Sequence, residues 1–398
     1  MKTTNLITIP NNEASWIAIS LAIPSYLIVL IGTAPFFQGV FYLIYLIGIF
    51  FIWQRRQHEN YSTIFIVTSL IFLSAWIAPN VVTKFSSRIE SDMLSFPTLI
   101  YHVVVLSVLV WWARSWSISQ KNYFKSWEQS CCTLLLLLTP LLFLIIVEIF
   151  RLKLEFPNYL NPPTPFNYRH LIGEILLMFC LAGFAISGRN LKLIVLAVTI
   201  LTLTLIQNRG GLLSVGIIVT LNVLMIILNT LSIKKIVIGL VMSTFLAYVF
   251  YDQLYKLMDY FFLFEHKYRG FGSGFTHRLT VWIETWQEIQ RVPWTGVGFW
   301  VSPYPYGNYF NFAGSVHNIF LRLWVENGTG LFLAVMAILM TTAVQIERKK
   351  LHWHRMAFWS ILVYYFFIPR HLTLNPLSIL LYWTIIQALC LPVHRKIQ

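Results

Sequence analysis

Charge is scarce in this sequence. Asp, Glu, Lys and Arg make up only 11% of its 398 residues, whereas ordinary soluble domains carry about 25% charged residues. So few charges could not cover the surface of a soluble protein of this length, which excludes soluble enzymes, fibrous proteins and disordered chains. Apolar residues form 57% of the chain, with 15 Trp, 19 Tyr and 31 Phe. Because aromatic side chains are enriched where a membrane meets water, the composition indicates a polytopic membrane protein.

Sequence signals for metals and nucleotides are also missing. The four cysteines lie in or beside apolar runs, without a CxxC or Cys/His spacing. No acidic DxD cluster, Walker motif or glycine-rich nucleotide loop occurs. We therefore expect no metal ion and no cofactor, so the energy for any group transfer must come from the substrate itself. The excess of 29 basic over 15 acidic residues lies mostly in short loops, which favours membrane topology over nucleic-acid binding.

Twelve apolar runs are candidate membrane-spanning helices, each near the length that a bilayer requires. They cover residues 14–33, 36–53, 62–79, 96–112, 131–150, 169–187, 191–207, 211–230, 234–251, 317–343, 355–369 and 373–392. The predicted fold is therefore all-α, an integral membrane protein with about 12 transmembrane helices. Nine helices fall in residues 1–251 and three in 317–398, separated by one large loop at 252–316.

The distribution of basic residues predicts the orientation. With both termini in the cytoplasm, the cytoplasmic segments hold 16 basic and four acidic residues. The segments on the opposite side then hold 13 basic and 11 acidic residues. The net charge is then about +12 inside and +2 outside, as the positive-inside rule requires.

The loop at 252–316 faces the outer side in this topology and is rich in Trp, Tyr and Phe. Its stretch 280–291 has apolar residues at helical spacing with polar residues between them, and Pro293 ends the pattern. We expect a folded cap with amphipathic helices that lies on the bundle at the lipid interface.

Arg209 is the first functional candidate. It lies between two apolar runs, preceded by Asn208 and followed by Gly210 and Gly211. A helix that begins beside an arginine is suited to bind an anion. The alternative is an arginine that snorkels from a tight turn.

A second group of candidates opens the span after the cap. Asn318, Arg322 and Glu326 are spaced by four and share one helix face, next to His317. Ionisable groups in a span usually face a functional cavity, and a neutral imidazole can accept a proton near pH 7. The alternative is that Arg322 and Glu326 simply pair with each other.

Further candidates lie on the same outer side of the predicted membrane topology. Their shared side is informative because the orientation depends on the charges of other loops. They are His277 and Arg278 ahead of the cap helix, Arg169, His170 and Glu174 at the sixth span, and Arg370 and His371 between the last two spans. The alternative for Arg278 is a solvated charge in a loop. The alternative for Arg169 and Glu174 is an ion pair at the end of a helix.

Several arginines and one histidine at the outer leaflet suit a lipid-linked diphosphate. Arginine binds phosphate oxygens with two parallel donors and stabilises the charge of a departing diphosphate. We expect Arg209, Arg278, Arg169 and Arg322 to bind the donor diphosphate, with Arg209 and His317 as the catalytic residues. The expected substrate-binding residues are Asn318, His170, Trp282 and Glu326, and aromatic side chains of the cap are suited to stack on sugar rings.

Four stretches resemble the bacterial O-antigen ligase and O-antigen polymerase superfamily. They are the Arg-Gly turn at 208–211, the Arg…Trp…Pro…Gly-x-Gly pattern at 278–298, His-Asn-x-x-Leu at 317–321 and the glycine pair at 326–330. Two features depart from the family pattern: Gly328 and Gly330 are one residue closer than usual, and Asn208 replaces a serine.

The resemblance implies a GT-C type glycosyltransferase of lipopolysaccharide biosynthesis in the inner membrane of a Gram-negative bacterium, acting at the periplasmic face. An O-antigen ligase transfers polysaccharide from undecaprenyl diphosphate to a sugar of lipid A-core. The alternatives are an O-antigen or exopolysaccharide polymerase, which joins two lipid-linked units, and a protein O-oligosaccharyltransferase. A lipid-linked oligosaccharide transporter is the alternative outside enzymes, but it would need polar groups along a path to both faces.

The topology is testable by labelling. A cysteine placed at Gly307, in the predicted periplasmic loop, should react with an impermeant thiol reagent added from outside. A cysteine at Lys349 should not, because the +12 to +2 charge difference places it in the cytoplasm. The reverse labelling pattern would overturn the orientation.

Overall fold

A computed structural model describes part of the chain, and this part consists of helices and the turns between them, with no strand. The described residues are Ala22, Ser25, Tyr26, 123–155, 169–186, 188–206, 208–230, Val241, Met242, Thr244, Phe245, 248–262, 278–297, Val316, 318–367 and 376–390. The all-α prediction is confirmed for these residues.

The helices are α1 (Tyr123–Glu155), α2 (Arg169–Ala185), α3 (Arg189–Leu205), α4 (Arg209–Thr230), α5 (Tyr251–Phe262), α6 (Arg278–Arg291), α7 (Ile319–Arg348), α8 (His352–Phe366) and α9 (Pro376–Cys390). The predicted cap helix at 280–291 corresponds to α6, which ends ahead of Pro293 as expected. The first four predicted spans lie outside the described residues, apart from three helical positions near Ala22.

Two of these helices are long and apolar enough to cross a membrane, over Glu128–Arg151 in α1 and Ile319–Arg348 in α7. The other apolar helices are shorter, such as 172–185 in α2 and 209–225 in α4. The total of twelve spans and the side on which 252–316 lies therefore stay predictions.

Helix α2 lies at the centre of the described bundle, and its side chains from Ile172 to Ala182 are buried. It packs against α1, α3, α4, α8 and α9, and α8 in turn packs closely on α4. The large rings of Phe358, Tyr364 and Tyr365 fill the space between these helices and are almost wholly buried. Close packing around α2 therefore fixes the relative positions of the helix ends that carry His170 and Arg209.

The outer surface of the bundle is apolar as well as its interior. Leu136 and Phe143 on α1 are 71% and 65% exposed, and Leu333 and Met340 on α7 are 58% and 65% exposed. Soluble monomers rarely expose apolar surface on such a scale. This surface therefore fits a chain whose surrounding solvent is lipid.

Contacts between α2 and α8 define two ends of the bundle. At one end the Tyr364 hydroxyl donates a hydrogen bond to the His170 carbonyl. At the other end the Trp353 indole donates to the Leu181 carbonyl at 2.8 Å, beside the basic turn between α7 and α8. Arg209 begins α4 at the first end, so the candidate residues and the basic turn lie at opposite ends.

Candidate active site

The turn before α4 holds Arg209 at a capped helix terminus. The Asn208 side-chain oxygen accepts a hydrogen bond from the Gly211 backbone N–H at 2.9 Å, which is the contact of an N-cap residue. A Cβ at Gly211 would lie 2.6 Å from a terminal methyl carbon of Leu203, so a side chain there would require Leu203 to shift. The Asn-Arg-Gly-Gly sequence therefore forms the helix N-terminus beside an arginine that the sequence predicted.

Neighbouring helices hold this turn in place. The Asn208 amide nitrogen lies 3.5 Å from the Tyr364 hydroxyl, and this hydroxyl donates to the His170 carbonyl. Gly173 faces the same point, and a Cβ on it would overlap both Asn208 and Tyr364. Helices α2, α4 and α8 thus converge directly behind Arg209, and the sequence analysis identified neither Tyr364 nor Gly173.

Arg278, the first residue of α6, is near enough to Arg209 for their positive charges to interact. Burial and the positive charge of Arg209 both lower the pKa of Arg278 below its ordinary value. Both side chains are half-buried, and an arginine keeps its charge at neutral pH. Two arginines that are 69 positions apart in the sequence therefore interact electrostatically at this end of the bundle.

Helix α6 is connected to the start of α7 and the end of α8 through Trp282. Its indole N–H donates to the Val316 carbonyl at 2.9 Å. Its ring meets the Phe366 ring edge to face, with centroids 5.6 Å apart. Trp282 therefore holds the cap helix against the same end of the bundle that carries Arg209.

The first turn of α7 contains the second group of candidates. The Asn318 side chain caps the helix, accepting from the backbone N–H of Phe320 at 2.9 Å and of Leu321 at 3.1 Å. Arg322 and Glu326 are buried and form an ion pair of 2.9 Å on one helix face. The predicted i,i+4 pairing is therefore present, and it keeps two charged side chains together inside the bundle.

Helix α7 is broken at Gly328, where the sequence predicted an uninterrupted span. Gly328 has φ 78° and ψ 175°, a conformation that essentially only glycine adopts. The Thr329 N–H donates to the Pro293 carbonyl at 2.7 Å, and the Val325 carbonyl accepts from the Val297 N–H at 2.8 Å. The turn after α6 thus satisfies both groups that the break releases from the helix.

The Thr329 side chain strengthens this attachment. Its hydroxyl donates to the Pro293 carbonyl at 2.6 Å and accepts from the Trp324 indole at 3.0 Å. Gly296 also has a positive φ of 66°, and a Cβ there would meet the Glu326 backbone. Two motifs that are separate in the sequence therefore contact each other: the Pro…Gly-x-Gly stretch after α6 and the Glu-Asn-Gly-Thr-Gly stretch in α7.

The structure describes the side chains of only some of the remaining candidates. Glu174 is fully buried in α2, and His170 is half-buried with its backbone carbonyl bound by Tyr364. Arg169 begins α2, but its side chain is outside the described part, as are His277, His317, Arg370 and His371. Among the described residues, no three His, Cys, Asp or Glu side chains come together as metal ligands.

The described helices form an apolar bundle with a pair of electrostatically interacting arginines, Arg209 and Arg278, at one end. Residues 193–336 match the family model described as O-antigen ligase, which confirms the resemblance to the O-antigen ligase and polymerase superfamily. That family consists of integral membrane, glycosyltransferase-like ligases and polymerases that act on lipid-linked glycans. The matched segment contains all four motif stretches and both arginines. No curated protein matches the sequence significantly.

The break at Gly328 predicts a large effect of a single methyl group. Gly328→Ala would force an L-residue into a glycine conformation and place Cβ against the Trp294 carbonyl, so we expect a loss of about 2 kcal/mol or more of stability. Gly330→Ala is the matched control, because nothing lies within 4 Å of a Cβ there. Thermal unfolding in detergent should show a lower midpoint for the first variant only, and equal midpoints would contradict the strained conformation.

Proposed function

We propose that this protein is an O-antigen ligase of the inner membrane, with its site on the periplasmic side. It would transfer polysaccharide from undecaprenyl diphosphate to a sugar of lipid A-core. The proposal is supported by the electrostatic interaction between Arg209 and Arg278, both of which begin helices within the segment that matches the O-antigen ligase family. Both arginines begin helices, and both side chains are partly exposed.

The paired arginines would bind the donor diphosphate. Two like charges at close range repel each other, and burial makes this repulsion stronger. A bound diphosphate removes the repulsion, and its negative charge grows as the bond to the sugar breaks. Because the arginines are already in place, they stabilise that charge without reorganisation. Arg169 and Arg322 are proposed as further diphosphate ligands, Arg322 from its buried pair with Glu326.

The acceptor hydroxyl would be activated by His317. Its oxygen attacks the anomeric carbon of the donor sugar, the bond from that carbon to the diphosphate oxygen breaks, and the hydroxyl proton passes to the imidazole. The products are the glycosylated acceptor and undecaprenyl diphosphate, and no metal ion enters this scheme. Asn318, His170, Trp282 and Glu326 are proposed to line the sugar-binding region.

Reconstitution with defined substrates tests the proposal and its alternatives. The purified protein in liposomes would receive an undecaprenyl diphosphate oligosaccharide and either lipid A-core or a second donor molecule. A ligase glycosylates lipid A-core, whereas a polymerase lengthens the lipid-linked chain, and gel analysis separates these products. Transfer to neither acceptor would contradict both assignments and favour a protein acceptor or a transporter.

Arg209→Lys should abolish most transfer while leaving expression intact. Lysine keeps the positive charge but cannot present two parallel donors to a diphosphate. Arg291→Lys is the matched control, because Arg291 is an exposed residue at the far end of α6 that pairs with Glu288. Full activity of an Arg209→Ala enzyme in the same assay would reduce Arg209 to a structural turn residue.

His317→Ala should lower turnover by about 10²–10⁴-fold, the usual contribution of a general base, while donor binding persists. His317→Gln should be nearly as inactive, because glutamine can form the hydrogen bond but cannot accept the proton. Near-full turnover of His317→Gln would place the base elsewhere, with Glu326 and His170 as the next candidates. Loss of donor binding in either variant would instead make His317 a diphosphate ligand.

A further inference from the structure

We propose that Trp282 is a positioning residue, which holds the backbone next to His317 in a fixed relation to the arginine pair. This inference rests on the proposed function for its catalytic meaning. Its structural basis is the hydrogen bond from the Trp282 indole N–H to the Val316 carbonyl. It assigns Trp282 a role through the backbone, whereas the sequence predicted a substrate-binding residue.

The hydrogen bond from Trp282 to Val316 matters because of where its acceptor lies in the chain. Val316 directly precedes His317, and Asn318 directly follows it. The Val316 carbonyl is bound by Trp282, and the Asn318 side chain is bound by the first N–H groups of α7. Both chain neighbours of His317 are buried as well. The backbone directly before and directly after position 317 is therefore held in place by these contacts.

Trp282 also connects this segment to the proposed donor site. It lies four residues after Arg278 on α6, and residues at that spacing share one helix face. The other end of α6 is attached to α7 at the Gly328 break through the Val297 and Thr329 hydrogen bonds. Helix α6 is thus held at both ends, and Trp282 is the side chain that connects its Arg278 end to the residue before His317.

The ring of Trp282 does not by itself explain the choice of tryptophan. Its edge-to-face contact with Phe366 needs an aromatic ring, which phenylalanine also provides. Only the indole supplies an N–H at the position of the Val316 carbonyl. Trp282→Phe therefore removes the hydrogen bond while keeping an aromatic face, both for Phe366 and for any stacked sugar.

Kinetics in the reconstituted transfer assay separate the two roles. Trp282→Phe should lower kcat by about three- to tenfold, the effect of losing one hydrogen bond, with little change in the KM for the lipid-linked donor. Trp286→Phe is the control, because Trp286 lies one turn further along α6 and its ring contacts Trp324. Unchanged kcat in Trp282→Phe would overturn the proposal and leave a stacking role.

Hydrogen exchange tests the same bond without any activity. In Trp282→Phe, amide exchange of a peptide covering 316–322 should be faster than in the wild type, because the capped start of α7 is less firmly held. Trp286→Phe should leave the exchange of this peptide unchanged. Equal exchange in all three proteins would overturn the inference. If the wild type transfers no glycan, the proposed function fails, and this comparison alone decides whether Trp282 holds the segment.

Discussion

The backbone of α7 loses a helical hydrogen bond at Gly328, and the arrangement of the candidate site depends on how the released groups are satisfied. A bilayer core offers no water to backbone groups, so a broken helix must find partners within the protein. The Thr329 N–H and the Val325 carbonyl find them in the turn after α6. The requirement to satisfy two backbone groups therefore attaches the amphipathic cap helix to an apolar span.

Electrostatic repulsion between Arg209 and Arg278 is the cost of this arrangement. Neither arginine lies in a flexible loop: one begins a helix capped by Asn208 and packed on Tyr364, and the other begins a helix attached at both ends. The surrounding hydrogen bonds hold the two helix starts in place, and the two charges interact with each other. This is the preorganisation that stabilisation of a departing anion requires, and it gives the proposed ligase reaction a physical basis.

Local rules predicted the parts of the site that depend on neighbours in sequence. The helix start at Arg209 follows from the Asn-Arg-Gly-Gly order, and the end of α6 follows from Pro293. The break at Gly328 was missed because a glycine in a positive-φ conformation looks the same in sequence as one in a helix. The support from Tyr364 was missed because its contacts join residues 156 and 194 positions apart in the chain. Sequence periodicity carries no information about contacts at such separations.

The contact between the 293–297 turn and the break at Gly328 has a consequence for chimeric proteins. Neither half can satisfy its backbone groups alone, since each supplies the donor or acceptor that the other lacks. A chimera that replaced only one of these two segments would therefore need a replacement with the same backbone geometry. A graft that moves residues 293–297 together with residues 325–329 keeps both hydrogen bonds, so these two segments form one exchangeable unit despite the intervening chain.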